Sequence, residues 1–287
     1  MNRLKYALRR MRRNRKQKLN AVLTLSVSIA VVLVVVLCII KISSNVDKQD
    51  RLSAGDQGKN STVQAHTETT PVEQQDVPVS APAPTPREKA VALTFDDGPS
   101  RAHTGDILNV LQKYGAHATF FVLGDRARVD GDILQMELAA GCEIGSHSWN
   151  HPQLSKIKWE RVKRQLRKTN KIVRELAGGY QISLLRPPYG SISNKMRKKL
   201  DMPMILWSLD TLDWKTRNPK KIFKEVKKQV QDGDIILMHD IYGTTAEAVE
   251  KVVPWLQKQG YDILTVSELM TRKGKTLENG KAYLSGR

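Results

Sequence analysis

Two adjacent carboxylates, Asp96 and Asp97, follow an apolar run in the segment ALTFDDGPS, residues 92–100. The segment is suited to a turn, because Asp hydrogen-bonds to its own backbone, Gly98 permits a positive φ, and a proline ends any strand pairing. It is also suited to chemistry, since one carboxylate can bind a metal ion while its neighbour accepts a proton. The residues that the fold brings beside the pair decide between these interpretations.

Four further groups of titratable residues follow predicted strands. His147 and His151, four residues apart, can face the same way on a helical turn and, with a carboxylate, form a metal site with open positions. Arg186 begins RPPYG, Asp213 stands in DTLDW and His239 in LMHD. Taken singly, each has an ordinary explanation: packed histidines, a turn fixed by two prolines, a strand end, and a buried strand with a histidine cap. Their joint occurrence after successive strands favours a hydrolytic site.

The predicted elements place these groups on one face. Strict alternation of short apolar segments with helical stretches implies parallel strands joined by helical crossovers. We therefore predict an α/β fold, a small or distorted (β/α) barrel with about seven parallel strands, with an open doubly wound sheet as the alternative. The predicted strands span residues 90–95, 118–123, 142–146, 182–186, 204–209, 234–239 and 262–266. The predicted helices lie near residues 103–114, 130–140, 155–177, 191–200, 217–231 and 245–259.

A basic segment and then an apolar segment precede this domain. Residues 1–20 are rich in Lys and Arg without an acid, and the segment 21–42 contains twenty uncharged residues. Twenty helical residues at about 1.5 Å each cross the ~30 Å core of a bilayer. The position of the positive charges predicts a cytosolic N-terminus, a transmembrane anchor and an extracellular domain. A cleaved signal peptide is the alternative, but it usually has a shorter apolar region and a small-residue cleavage site.

The remaining boundaries follow from composition and charge. Residues 43–87 are rich in Pro, Ser and Thr and predict a disordered tether. A folded domain is predicted over 88–270, and the C-terminal tail 271–287 has no interpretable pattern. Of the formal net charge of +18, residues 87–287 contribute +11, with 34 basic and 23 acidic residues. The predicted helix 155–177 carries nine of these cations, which form a solvated face or attract an anionic polymer outside the cell.

The segments TFDDGP, HSWNH, RPPYG, DTLDW and LMH, in this order, resemble the five motifs of the polysaccharide deacetylase family, also called the NodB-homology domain or carbohydrate esterase family 4. The resemblance covers residues 88–270 and implies a distorted (β/α) barrel. With the span and tether ahead of it, the chain looks most like the membrane-anchored peptidoglycan N-acetylglucosamine deacetylases of Gram-positive bacteria. The resemblance therefore implies a hydrolase of non-peptide C–N bonds that releases acetate from the N-acetyl groups of cell-wall glycan.

The resemblance also implies a role for each residue of the motifs. Asp97, His147 and His151 would bind a divalent metal, usually Zn²⁺ in this family, although such a ligand set also accepts Co²⁺ or Mn²⁺. Asp96 would be the base that takes a proton from water. His239 would be the acid that protonates the leaving amine.

Further residues would support this machinery by the same resemblance. Arg186 would keep Asp96 ionised and oriented, and Asp213 would pair with His239 and raise its pKa. Residues that would contact the substrate are Tyr189, through its backbone N–H at the oxyanion, and Trp214 and Leu237, as walls of the acetyl pocket.

Other functions remain open at this stage. Chitin oligomers, exopolysaccharide or O-acetylated xylan are alternative substrates, and a non-catalytic wall-binding module is a rival of a different class. The anchor favours the producing cell's own wall, while an intact base and acid favour catalysis. The expected partners are an acetylated glycan and, through the span, a membrane. Nucleic acid is not expected outside the cell, and the sequence leaves the oligomeric state and the choice between GlcNAc and MurNAc undecided.

Overall fold

Eight β-strands form within residues 87–287, the part of the chain that the computed structural model describes. Their pairings with one another in this part are all parallel, as predicted. The first strand is buried along nearly its whole length, because its apolar residues alternate between two covered faces. The strands are β1 Lys89–Asp96, β2 Thr119–Val122, β3 Glu143–Ser146, β4 Met204–Ile205, β5 Leu209–Asp210, β6 Ile235–His239, β7 Tyr261–Leu264 and β8 Ala282–Tyr283.

Nine α-helices accompany these strands in the described part. Asn218 caps one of them by accepting a hydrogen bond from the Lys221 N–H, with Pro219 at the first helical position, where no N–H is needed. Thr265 and Glu268 form a capping box at another. The helices are α1 Thr104–Lys113, α2 Gly124–Ala127, α3 Gly131–Ala139, α4 Trp159–Leu176, α5 Asn194–Lys199, α6 Asp213–Thr216, α7 Pro219–Gln229, α8 Gly243–Lys258 and α9 Val266–Arg272.

The strands are arranged in a ring. The main sheet has the order β3-β2-β1-β6-β5, and β7 pairs with the first half of β1. Leu185 bridges to Ser146 of β3 and to Met204 of β4, and the chain then continues from β4 into β5. This chain connection, rather than a pairing of β4 with β5, completes the ring, which is consistent with a distorted barrel of parallel strands.

The core has an outer and an inner layer. Outside the ring, β1 residues such as Leu93 and Phe95 pack against buried helix residues such as Val249 of α8. Inside it, Phe121 and Ile205 belong to a smaller buried cluster. Burial of a large apolar side chain stabilises a fold by about 1.5–3 kcal/mol, so these layers hold the strand ends in fixed positions.

Three predicted segments differ from the structure. The strand predicted over 182–186 is reduced to the bridging residue Leu185, before two prolines that lack an N–H for pairing. The strand predicted over 204–209 is split into β4 and β5. Residues 282–283, in the segment predicted as a tail, form β8 and pair with β4.

The predicted segments 1–20 and 21–42, and all of 43–87 except its last residue, lie outside the described residues. The cytosolic segment, the anchor and the tether therefore stay predictions. Among the helices of residues 87–287, none combines the length and the apolar composition that crossing a bilayer requires. The described residues all belong to one compact unit, Ser80–Arg287.

Candidate active site

The two adjacent carboxylates reach the same imidazole because the strand ends between them. Neighbouring side chains of a strand point to opposite faces. Asp96 is the last residue of β1, and Asp97 adopts φ 74°, in the left-handed region, which breaks the alternation. As a result Asp96 Oδ2 and Asp97 Oδ1 each lie 3.7 Å from Nε2 of His147.

The two histidines meet across a loop rather than on a helical turn, so the helical geometry expected from their spacing is wrong. His147 directly follows β3, and both Ser148 and His151 have positive φ values, 74° and 59°. This path brings the imidazole centroids to 4.9 Å from each other. His151 also packs edge-on against the ring of Tyr189, with 4.6 Å between centroids.

Asp97, His147 and His151 fit a divalent metal ion. One ligand atom from each lies within 4.8 Å of the other two, and Asp97 Oδ1 is 3.6 Å from His151 Nε2. Asp97 Oδ1 is buried and has no hydrogen-bond donor among the described residues, which is the condition of an acceptor that a cation would satisfy. Nδ1 of His147 lies 2.8 Å from the Arg186 carbonyl oxygen, so this nitrogen carries the proton and Nε2 faces the carboxylates. Burial lowers the pKa of His147 despite the opposing charges of Asp96 and Asp97, and this favours the neutral imidazole that metal binding requires.

Arg186 is completely buried beneath the carboxylate pair. Its Nη1 donates to Asp96 Oδ1 at 2.8 Å and to the Thr94 hydroxyl at 2.7 Å. Nε and Nη2 donate to the carbonyls of Ile205, the last residue of β4, and Leu206, which follows it. Burial lowers the pKa of Arg186 below its usual value, although the charge of Asp96 partly opposes this shift. Because four hydrogen bonds fix the guanidinium, the Asp96 carboxylate is held in one orientation.

His239 and Asp213 form a second charged pair, at the end of β6. His239 Nδ1 lies 2.8 Å from Asp213 Oδ1, and the His239 backbone N–H donates to Asp213 Oδ2 at 2.7 Å. Asp213 is fully buried and also accepts hydrogen bonds from the Thr245 hydroxyl and the Trp214 N–H. Burial disfavours the charged imidazole, but the hydrogen bond and charge of Asp213 outweigh it and raise the pKa of His239 to about 9.

The register of the sheet brings these two pairs to one place. Asp96 of β1 is the direct partner of His239 in β6, and Leu237 of β6 pairs with Asp210 of β5. A cavity of about 390 Å³ opens above these strand ends, and we refer to it as the central cavity. Its lining includes eight of the ten predicted site residues: Asp96, Asp97, His147, His151, Tyr189, Trp214, Leu237 and His239. The other two, Arg186 and Asp213, are buried behind it.

The two aromatic residues of the predicted substrate site are partly exposed. Tyr189 has φ 61° and an exposed fraction of 66%, and Trp214 has an exposed fraction of 46%. The backbone hydrogen bonds at the turn Pro188–Gly190 run from the N–H groups of Gly190 and Ser191, so they do not engage the Tyr189 N–H. Leu237, by contrast, is buried and offers an apolar wall.

Three residues of the central cavity were not among the predicted site residues. Trp207 and Asp210 lie in the segment WSLDTLDW, of which only Asp213 and Trp214 were predicted site residues. Tyr242 lies three residues after His239, with 5.9 Å between ring centroids, and no sequence pattern indicated it. The guanidinium of Arg217 stacks on the Tyr242 ring at 3.2 Å from its centroid. A cavity wall assembled from separate loops has no local periodicity that could reveal it.

The buried carboxylate of Asp240 leaves room only for glycine at position 98. A side chain on Gly98 would collide with the carboxylate of Asp240, which is fully buried directly after His239. Asp240 accepts a hydrogen bond from the Thr104 hydroxyl at 2.5 Å, and burial raises its pKa to about 7. The glycine of the DDGP turn therefore packs directly against this carboxylate. The segment both forms a turn and supplies two carboxylates to the central cavity.

Comparison with known proteins agrees with this geometry. A family model described as polysaccharide deacetylase matches residues 83–203. The chain is similar to the peptidoglycan-N-acetylmuramic acid deacetylase PdaC of Bacillus subtilis, with 45% identity over 184 residues, 64% of this chain and 39% of the relative. It is also similar to a peptidoglycan-N-acetylglucosamine deacetylase of Bacillus cereus, with 36% identity over 194 residues, 65% of this chain and 90% of the relative.

Solved structures show the same likeness. The structure of B. subtilis PdaC matches with a TM-score of 0.63 and 44% identity, covering 65% of this chain and 92% of that one. A family 4 acetyl xylan esterase from Clostridium thermocellum, solved in complex with a cobalt ion, matches with a TM-score of 0.65 and 32% identity, covering 69% of this chain and 98% of that one. The chain spans about two fifths of the length of the curated relatives that it matches at 42–45% identity.

Proposed function

This chain belongs to the polysaccharide deacetylase family, and from that premise we propose that it hydrolyses the N-acetyl groups of peptidoglycan, releasing acetate and leaving a free amine on the sugar. The observation that carries the proposal is the arrangement of the central cavity. Asp96, paired with Arg186, and His239, paired with Asp213, meet there beside the Asp97 ligand set. A base and an acid held by separate buried partners are what amide hydrolysis requires.

Asp97, His147 and His151 would hold a divalent metal, and we propose Zn²⁺, with Co²⁺ or Mn²⁺ as alternatives that the same donors accept. The related family 4 esterase was solved in complex with a cobalt ion, which supports the binding of a divalent ion by a protein of this fold. When bound, such an ion supplies a Lewis acid that lowers the pKa of water and polarises a carbonyl oxygen. The ion would also satisfy Asp97 Oδ1, which is buried and accepts no hydrogen bond from the described residues.

Asp96 would accept the proton of the attacking water. Its Oδ1 is engaged by Arg186 at 2.8 Å, whereas its Oδ2 faces His147 and the ligand group. Oδ2 is thus the oxygen available for proton transfer. The water oxygen would form the new bond to the acetyl carbonyl carbon, and its proton would pass to this carboxylate.

His239 would protonate the amine as the C–N bond breaks. Its Nδ1 is engaged by Asp213, so the proton to be donated lies on Nε2. A pKa raised to about 9 keeps the imidazole protonated at neutral pH. The amine then leaves as a neutral group, and the acetate retains the water oxygen.

The substrate would be oriented by the walls of the central cavity. The backbone N–H of Tyr189, which the hydrogen bonds of its own turn do not use, would donate to the oxyanion that develops on the carbonyl. Leu237 and Trp214 would enclose the acetyl methyl group, and the exposed tryptophan face would also contact a sugar ring.

The cellular position remains a proposal from the sequence. Residues 21–42 would anchor the chain in the membrane with residues 1–20 in the cytosol, and residues 43–87 would tether an extracellular domain. Such a tether would let the domain reach wall glycan while keeping it at the cell that produces it.

The proposed reaction is tested with the full chain, stripped of metal and resupplied with Zn²⁺. Acetate and free amine are measured from chitooligosaccharide and from purified peptidoglycan, and mass spectrometry identifies the deacetylated sugar. Zinc-dependent acetate release from peptidoglycan is expected. Release from O-acetylated xylan alone, or binding of glycan without any release, would contradict the proposal.

A further inference from the structure

A second cavity, of about 650 Å³, lies between α4 and residues 199–202, at the end of α5. We call it the basic groove. Its lining carries one carboxylate, that of Asp201, against five cationic side chains: Lys163, Arg167, Lys171, Arg174 and Lys199. The groove therefore has an excess of four positive charges, and its complement is an anionic ligand.

The cations of the basic groove are available to a ligand. Lys163 pairs with Glu160 at 2.9 Å and Lys171 with Glu175 at 3.7 Å, both at exposed positions where ion pairs contribute about 0–1 kcal/mol. Arg167, Arg174 and Lys199 have no carboxylate partner within 4.0 Å among residues 87–287. Guanidinium groups bind phosphate and carboxylate groups with two parallel hydrogen bonds, so the two free arginines suit a ligand that carries such oxyanions.

The spacing of the cations indicates a chain rather than a single anion. At 1.5 Å per residue, Lys163 and Arg174 lie about 16 Å apart along α4, and the cations between them follow at intervals of about 4.5–6 Å. Such a row cannot converge on one phosphate. It matches a linear polymer that carries one charge in each short repeat.

The groove also has features that fit the carbon and hydroxyl groups between the charges. Its lining contains four apolar side chains: Trp159, Leu166, Leu200 and Met202. Asn170 lines the groove as well, and its Oδ1 is buried without a hydrogen-bond donor among the described residues. Asn170 thus adds an amide side chain to the apolar and cationic lining of the groove.

We propose that the basic groove binds a linear polyol phosphodiester, an anionic polymer of the cell wall, independently of the central cavity. A polymer of this kind combines one phosphate per repeat with CH₂ groups and hydroxyls. A bilayer surface is flat and would contact only the rim of the groove, and a nucleic-acid strand would use several stacking rings where the groove has only Trp159. The choice of a wall polymer rests on the proposed function, which sets the domain outside the cell.

The test compares two doubly substituted full chains with the same change of charge on the same helix. Arg167→Glu/Arg174→Glu alters the groove, whereas Arg161→Glu/Arg164→Glu alters exposed arginines that do not line it. Binding of soluble poly(glycerol phosphate) is measured for each, with dextran as a neutral probe. The groove variant is expected to raise Kd about tenfold or more, and the control variant by less than about twofold.

Several outcomes would overturn the proposal. Equal losses in both variants would assign the binding to overall charge, and groove-dependent binding of an oligonucleotide or of phosphatidylglycerol vesicles in preference to the polymer would assign the groove to another ligand. The far-ultraviolet circular dichroism and the Tm of both variants establish that they are folded. This binding measurement is independent of the proposed reaction. A chain that binds the polymer through the groove but releases no acetate would contradict the proposed deacetylase activity and leave the groove proposal intact.

Discussion

The central cavity and the basic groove both concentrate charge, but they hold it in opposite ways. At the central cavity, Asp96 lines the wall and Asp213 lies behind it. Both are buried, and the hydrogen bonds that they accept from Arg186 and from the His239 N–H measure 2.8 and 2.7 Å. In the groove, Arg167 and Arg174 are exposed on long side chains without a carboxylate partner in residues 87–287. Buried charges are expensive to desolvate but keep their geometry, whereas exposed charges are screened and mobile.

This difference separates a site for chemistry from a surface for binding. Proton transfer requires donor and acceptor atoms within about 2.6–3.2 Å of the reacting group, so the residues that perform it must be immobilised. Binding a flexible polyanion depends on charge density, and mobile arginines can follow the polymer. Variants in the cavity should therefore have large effects on the reaction, and variants in the groove almost none.

The largest effect is expected for His147→Ala. Because His147 is buried and its Nε2 faces both carboxylates, its loss removes one of the three proposed metal ligands. Bound zinc, measured by elemental analysis, and acetate release should both disappear. His117→Ala, an exposed histidine paired with Glu268, is the control. Retention of zinc by the His147 variant would contradict the assigned ligand set.

A smaller but still large effect is expected for Asp96→Asn. The amide keeps the shape and an acceptor for Arg186 but cannot take a proton, so kcat should fall about 10²–10⁴-fold while zinc remains bound. Zinc content and kcat are measured on the same preparation, beside the exposed control Asp106→Asn. Substantial turnover in the Asp96 variant would remove this residue as the base and would weaken the contrast between fixed and mobile charge.

A pH-dependent effect is expected for Asp213→Asn. The pKa of His239 is raised from 6.5 to about 9, so its pairing stabilises the fold below about pH 6.5 and that stabilisation is lost as the pH rises through about 9. The stability difference between the native chain and the variant, measured by urea unfolding, should be larger at about pH 6 than at about pH 9.5. In the pH profile of kcat, the alkaline limb should also move to lower pH in the variant. A profile that does not move would mean that Asp213 does not set the pKa of the acid.

The smallest effect on the reaction is expected for the groove variant Arg167→Glu/Arg174→Glu. With chitooligosaccharide, which carries no charge, kcat/KM should change by less than about twofold, because exposed charges act weakly beyond the Debye length of about 10 Å. The measurement is repeated at low and high salt. A large loss of kcat/KM with this neutral substrate would mean that the basic groove contributes to the reaction in the central cavity.

Much of the fold follows from local patterns, and the exceptions share one cause. The apolar segment 90–95 is β1 because a continuous run of such residues is stable only when both faces are covered. The two-residue strand β8 was not predicted, because its segment has no periodicity. It forms through its pairing with β4. The loop that joins His147 to His151 was mistaken for a helical turn, because spacing alone does not reveal positive φ values at Ser148 and His151.

The amino-acid sequence by itself determined the alternation of strands and helices along the chain, the residue types at the strand ends and the family, because these depend on short-range periodicity and contiguous motifs. Tertiary structure alone decided which of these residues meet. The Arg186–Asp96 pair joins positions 90 residues apart, and Tyr242 enters the central cavity through its stacking on Arg217. Such contacts depend on the register of the barrel and on burial, and neither is encoded in the spacing of neighbouring residues.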